Sequence, residues 1–183
     1  MENPLLFRNR YRIPSIRMQG WDYREPGWYF VTICTKGKEC WFGEVKDQTM
    51  MLSDIGQVVH RCWLQIPQHF RHVTLDDWVV MPNHVHGIVV IGEREKCRPV
   101  ETCDSHVSTN AYIRRPTPGS LGSIIGQYKS TCTKLVHRMG NTDFAWQPRF
   151  HERLIRDPDE TIRIRQYIRT NPLMWEQDDL HRQ

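Results

Sequence analysis

The chain reads as an α+β domain, and three observations predict it. Residues 73–81 and 84–91 are β-branched runs separated only by Pro82-Asn83, a connection so short that they must pair as an antiparallel hairpin. Residues 28–35 form an aromatic and β-branched run, and hence a further strand. Apolar stripes at i, i+3, i+4 spacing recur in three places and predict helices.

Taken in order, residues 1–26 read as an N-terminal arm ending in a turn at Glu25-Pro26-Gly27. After the strand at 28–35, Lys36-Gly37-Lys38 turns the chain into a second strand near 40–45. Ser53-Asp54 opens a helix whose stripe is Ile55, Val58, Val59, Cys62, Trp63 and Ile66, with Pro67 as its stop. The hairpin follows. Residues 92–118 are charged, contain cysteine and proline, lack periodicity and read as a long loop. Residues 119–139 form a helix carrying Leu121, Ile124, Ile125, Tyr128, Cys132, Leu135 and Val136 on one stripe, stopped at Gly140-Asn141. Residues 150–156 suggest a short strand. The last helix has Asp157 as N-cap, Pro158 in its first turn, Glu160 to complete a capping box, and Pro172 as its end. The division is therefore an arm (1–26), a domain (27–175) with the loop at 92–118, and a tail (176–183).

A length of 183 residues suits one domain with a real core, and 39% hydrophobic with 25% charged residues is a globular composition. No apolar run approaches the roughly 18–20 residues that cross a bilayer. The opening residues lack the order and apolar core of a signal peptide. The expectation is a cytoplasmic protein with no membrane partner.

A net charge of +4 and a pI near 8.8 are too mild to identify a partner. The distribution says more. Arg8, Arg10, Arg12 and Arg17 interleave with Phe7, Tyr11, Trp21 and Tyr23, while Arg149, Arg153, Arg156, Arg163, Arg165 and Arg169 cluster near the C-terminus. Arginine among aromatics suits phosphates and stacked bases. A solvated helix face and an unstructured arm account for the same charges equally well. The six cysteines contain no Cys-x-x-Cys pair, so free thiols are expected, and Cys97, Cys103 and His106 would need a fourth partner to hold zinc.

The residues that bear on chemistry lie on the hairpin and the last helix. Side chains alternate along a strand, so His84 and His86 share one face about 6–7 Å apart and can each give a nitrogen to one metal ion. On the last helix Ile164, Tyr167, Ile168 and Asn171 form one stripe, so the face that packs also bears a phenol and a carboxamide. A buried carboxamide oxygen needs a partner, and a cation held by two histidines would provide one. The candidate site is thus a metal held by His84, His86 and Asn171, with Tyr167 one turn away as the nucleophile. A phenol is weakly nucleophilic at neutral pH and needs an electrophile activated by a cation, such as a metal-bound phosphodiester. Each element also has an ordinary reading: a packed histidine pair, a core tyrosine, and Asn-Pro as a helix stop.

The combination resembles a known family. The run Trp78-Val79-Val80-Met81-Pro82-Asn83-His84-Val85-His86-Gly87 resembles the His-hydrophobic-His signature of single-tyrosine HUH transposases, and Tyr167 with Asn171 resembles their Tyr-x-x-x-Asn/Gln motif. Residues 20–35 and Trp41-Phe42-Gly43-Glu44 resemble the branch called REP-associated tyrosine transposases, as do Gln127-Tyr128-Lys129-Ser130 and residues 150–156. The resemblance spans residues 8 to 175 or thereabouts. It implies a ferredoxin-like antiparallel sheet packed with helices, the HUH endonuclease fold, with the histidines on a central strand and the tyrosine helix across them. It implies a transposase dependent on Mg²⁺ or Mn²⁺ that cleaves and rejoins single-stranded DNA through a 5′-phosphotyrosine, on hairpin-forming repeats. Imidazole alone favours zinc, so this metal preference comes with the resemblance. The implied partner is single-stranded or hairpin DNA, contacted by Arg12, Arg17, Lys129 and Arg163, with a homodimer as an option. The alternative is a domesticated hairpin-binding protein of the same fold that does not cut. Asn171 stands where many insertion-sequence relatives carry glutamine, which shortens the ligand's reach. Tyr128 is the competing nucleophile, but its i+4 neighbour, Cys132, is a poor ligand for a hard cation.

Overall fold

The computed structural model describes residues 6–7, 10–11, 25–93, 117–178 and 180–181. Arg12, Arg17, Cys97, Cys103, His106 and most of the 92–118 segment lie outside the described residues, as does most of the arm. The elements in chain order are β1 (Leu6–Phe7), β2 (Arg10–Tyr11), β3 (Gly27–Cys34), β4 (Gly43–Lys46), β5 (Thr49–Leu52), α1 (Asp54–Leu64), α2 (Ile66–His69), β6 (Val73–Met81), β7 (His84–Ile91), α3 (Leu121–Arg138), β8 (His151–Ile155) and α4 (Pro158–Thr170).

Four strands make one antiparallel sheet in the order β6-β7-β3-β8. With α1 between β3 and β6, and α3 between β7 and β8, the chain traces the strand-helix-strand-strand-helix-strand pattern of a ferredoxin-like fold. The predicted α+β class and antiparallel sheet are therefore present, with β7 and β3 as the central strands.

Alternation along the strands sorts the sheet into two unequal faces. Tyr29, Val31 and Ile33 on β3 and Val85, Val89 and Ile91 on β7 join Val59, Trp63, Ile124 and Tyr128 in the large core beneath α1 and α3. Gly87 belongs to that face, and a Cβ there would meet the Trp63 ring at 2.4 Å, so the indole can lie against the sheet only over a glycine. The opposite face presents Ile88, which packs with Ile155 and Ile168 in a second, much smaller core lined by Phe30, Val79, Val90 and Ile164. The helix α4 covers this face, and His84, His86 and Thr32 point the same way by register.

Several local expectations need correction. The strand placed near 40–45 is β4, which starts only at Gly43 and pairs with β5 in a hairpin separate from the main sheet. The turn between them places Asp47 and Gln48 at φ of 48° and 61°, the paired left-handed geometry of a two-residue hairpin loop, without the glycine that usually signals it. Pro67 does not end the first helix. α1 stops at Leu64, and Pro67 lies in the first turn of the one-turn helix α2, where a missing N–H costs nothing. Pro172 likewise begins a 3-10 segment, Asn171–Gln177, that prolongs α4. The capping of α4 is as read at Asp157, whose carboxylate accepts from Glu160 N at 2.6 Å. Glu160, however, reaches back to Arg156 N rather than to the cap residue, and pairs with Arg153 at 2.5 Å. Asp178, Leu180 and His181, placed in a tail by sequence, return to pack on the histidine face.

Candidate active site

The strand β7 pairs His84 with Cys34 and His86 with Thr32 of β3, at the centre of the sheet. Both imidazoles are buried, their ring centroids 4.4 Å apart. Their orientation is fixed from behind. Asn83 donates its amide nitrogen to the carbonyls of Lys38 (3.1 Å) and Leu180 (2.8 Å), which leaves its Oδ1 as an acceptor. That oxygen lies 2.8 Å from His84 Nδ1, so the ring proton is on Nδ1 and Nε2 carries a lone pair. His86 Nδ1 pairs with Thr32 Oγ1 at 2.9 Å, which again turns Nε2 to the α4 side. Burial pushes His84 down to about 3, partly offset by the neighbouring Asn171 carboxamide. Burial also drives His86 well below the ordinary histidine range, with the nearby His84 adding to the effect. Both rings are therefore neutral at pH 7, the form that can donate to a metal.

The helix α4 brings the remaining groups. Arg165 makes two 2.7 Å bonds to the Asp76 carboxylate, and Arg169 pairs with Asp77 at 2.7 Å, clamping α4 to β6. The two acids can face one helix because β6 bulges between Leu75 and Trp78, which interrupts strict alternation. With α4 so held, the Tyr167 hydroxyl lies 3.2 Å from His86 Nε2, while the residue is 45% exposed. Its ring is edge-on to Phe30 at 6.1 Å. Asn171, one turn on, is buried, and its Nδ2 donates to Asp178 Oδ2 at 3.0 Å. The amide is thereby turned so that its Oδ1 has no hydrogen-bond partner among the described residues, and His84 Nε2 is in the same condition. Leaving two such atoms buried is costly unless something occupies the space between them.

Asp178 is the residue that sequence reasoning missed. Its carboxylate and one nitrogen of each histidine all lie within 4.8 Å of one another. Two imidazoles, a carboxamide oxygen and a carboxylate form a mixed set in which the oxygen donors suit a hard divalent cation. No short-range motif marks Asp178, because the chain returns to the site only through the 3-10 segment, where Trp175 packs toward His84 and His181 packs on Trp175. Asn83 had a weak signal in its position next to His84, but its turn role hides its amide contacts.

Tyr128, the rival nucleophile, lies in the large core on the opposite face of the sheet. Its hydroxyl donates to Val59 O at 3.3 Å, Trp63 and Trp146 flank its ring, and burial raises its pKa well above 10. Lys129 donates to the carbonyls of Gln147 and Arg149 at 2.6 and 2.9 Å, which ties down a loop, and burial lowers its pKa to about 8. Two of its three N–H donors are thus committed to backbone carbonyls. Arg163 is exposed on α4, four residues before Tyr167. No helix among the described residues is long and apolar enough to cross a membrane.

No protein-family model matches the chain. It is 38% identical over 169 residues to an uncharacterized protein of Haemophilus influenzae, a match that covers 91% of this chain and 92% of that protein. A solved structure of a REP-associated tyrosine transposase bound to a REP hairpin superposes with a TM-score of 0.54 at 19% identity, covering 91% of this chain and 73% of that one. At that identity the likeness establishes a shared fold.

Proposed function

The chain belongs to one family with the Haemophilus influenzae protein and has the fold of a REP-associated tyrosine transposase, and from its site we propose that it cleaves and rejoins single-stranded DNA through Tyr167. One observation carries the reading: the buried, unpartnered His84 Nε2 and Asn171 Oδ1 converge with Asp178 beside a half-exposed phenol.

His84, His86 and Asn171, with Asp178, would hold a divalent cation, Mg²⁺ or Mn²⁺, whose positive charge would polarise a phosphodiester and offset charge on its oxygens. The chain's own groups do the rest. Tyr167 Oη attacks phosphorus, forming a P–O bond to the phenol as the bond to the 3′ oxygen breaks. The departing strand leaves as a 3′-hydroxyl, and the other strand end remains as a 5′-phosphotyrosine. The phenolic proton goes to water, since Tyr167 is exposed and buried His86 is held in its neutral form as a ligand rather than serving as a base. Attack by a 3′-hydroxyl on the phosphotyrosine reverses the bond exchange and rejoins DNA. The hairpin in the structural neighbour supports a hairpin-tailed substrate for this chain. Arg163, exposed on the nucleophile's helix, is suited to a phosphate of the same strand.

The test is to incubate the protein and labelled hairpin-tailed single-stranded DNA with Mn²⁺ and to resolve covalent adducts on a denaturing gel. Tyr167→Phe should bind DNA with near-native affinity and form no adduct, while Tyr128→Phe should still form it. An adduct that survives in Tyr167→Phe would overturn the assignment. DNA binding without any adduct in the wild type, with either cation, would favour the non-cutting hairpin binder.

A further inference from the structure

A cleft of about 440 Å³ opens beside α4, at the end of the sheet away from the histidines. Trp28, Ile155, Pro158 and Ile162 give it apolar walls, and Arg156, Asp157 and Arg165 also line it. Trp28 is 37% exposed and Ile162 is 59% exposed, an unusual amount of bare apolar surface for two residues flanking one cleft. The Arg165 guanidinium lies over the indole, 5.6 Å from the ring centroid, and is held in place by its two bonds to Asp76.

From this cleft we infer that the protein holds a nucleobase of its single-stranded substrate against Trp28, a short way along the strand from the reacting phosphate. The inference rests on the DNA-cleaving function proposed above. Three observations favour a base over other occupants. The surfaces on offer are a flat indole and a flat guanidinium, and stacking on such groups tolerates any base. Arg156 and Arg165 both line the cleft, but the Arg165 charge is matched by Asp76 and Asp157 sets a carboxylate beside Arg156, so the cleft has no net positive charge to favour a phosphate over a base. The cleft also shares two elements, β3 and α4, with the candidate active site. Trp28 and Phe30 are alternate residues on one face of β3, and the Phe30 ring stacks on His86 and meets Tyr167 edge-on. Thr161 lines the cleft six residues before Tyr167, a separation of about 9 Å along a helix. A strand whose phosphate meets Tyr167 therefore passes the cleft with a neighbouring nucleotide. The Asp157 carboxylate can accept from an exocyclic amine, which cytosine and adenine carry and thymine lacks.

The test uses full-length Tyr167→Phe, which binds without cutting, and fluorescein-labelled dC12, dA12 and dT12. Anisotropy should show dC12 and dA12 binding tighter than dT12. Adding Trp28→Ala should weaken dC12 binding about tenfold, and Trp28→Phe about threefold, with Mn²⁺ affinity unchanged. Irradiating a complex with 5-iododeoxycytidine in the oligonucleotide should cross-link Trp28, located by mass spectrometry. Equal dC12 affinity in the Trp28→Ala protein, with the cross-link elsewhere, would overturn the subsite and leave the cleavage function standing. Failure of every oligonucleotide, hairpin-tailed DNA included, to bind the protein would overturn both.

Discussion

Asn83 shows how much of the candidate site depends on one residue outside the proposed ligand set. Its amide nitrogen donates to two backbone carbonyls, its oxygen accepts from His84 Nδ1, and His84 Nε2 is left with its lone pair beside Asn171. Asn83→Ala should therefore weaken Mn²⁺ binding by about 10- to 100-fold, the usual effect of losing a group that orients a metal-binding histidine. Isothermal titration calorimetry checks this, and unaltered affinity would make Asn83 a simple turn residue. The same logic explains which residues the sequence revealed. His84 with His86, and Tyr167 with Asn171, were legible because a strand repeats every two residues and a helix every three to four, so spacing alone placed each pair on one face. Asp178 and Asn83 act through tertiary contacts: Asp178 reaches the site on a returning segment, and Asn83 reaches from a turn to carbonyls 45 and 97 positions away. No local period encodes either.

At the scale of elements, the bulge in β6 bears on where Tyr167 stands. It allows Asp76 and Asp77 to meet Arg165 and Arg169, one turn apart on α4, and so sets the height of Tyr167 above the histidines. If Tyr167 is the nucleophile as proposed, Asp76→Asn should lower kcat, because it loosens the helix that carries Tyr167, and raise the KM for DNA less, through the freed Arg165 at the cleft. The variant also carries a pH signature. The Arg165 side-chain hydrogen bond is the largest influence holding Asp76 below the usual carboxylate range. A carboxylate with a depressed folded pKa contributes stability above its unfolded pKa and loses it as pH falls through the folded value. Wild-type Tm should thus show an acid-side decline below about pH 4 that is smaller in Asp76→Asn, and identical acid limbs would remove the clamp from the account. The helices and the central hairpin were readable because their apolar patterns are long. The bulge, and the β4–β5 hairpin with its Asp47-Gln48 turn, were not, since both rest on backbone geometry that no glycine announces.

Across the whole molecule, the two faces of the sheet are held very differently. Beneath α1 and α3 lies the large core around Trp63 and Tyr128, whereas on the α4 face the buried apolar cluster among the described residues is Ile88, Ile155 and Ile168, beside the buried His84, His86 and Asn171 and two carboxylate-guanidinium clamps. The candidate metal ligands lie across this weaker interface. His84 and His86 belong to the sheet, while Asn171 and Asp178 belong to the segment that continues from α4. A cation bound by all four would therefore cross-link the sheet to its lightly packed layer, and binding to the folded state alone raises stability by mass action. At a Mn²⁺ concentration a hundred times its Kd the gain is about 2.7 kcal/mol. For a domain of this length that corresponds to a rise of about 5–10 °C in Tm. The rise should vanish in His84→Ala, shrink in Asp178→Ala, and reverse when the wild type is treated with a chelator. Amide exchange should slow chiefly in α4 and the 3-10 segment, and little in α1 and α3. A Tm increase of the same size in a His84→Ala, His86→Ala double variant would place the ion elsewhere on the protein and leave the two buried lone pairs without their proposed occupant.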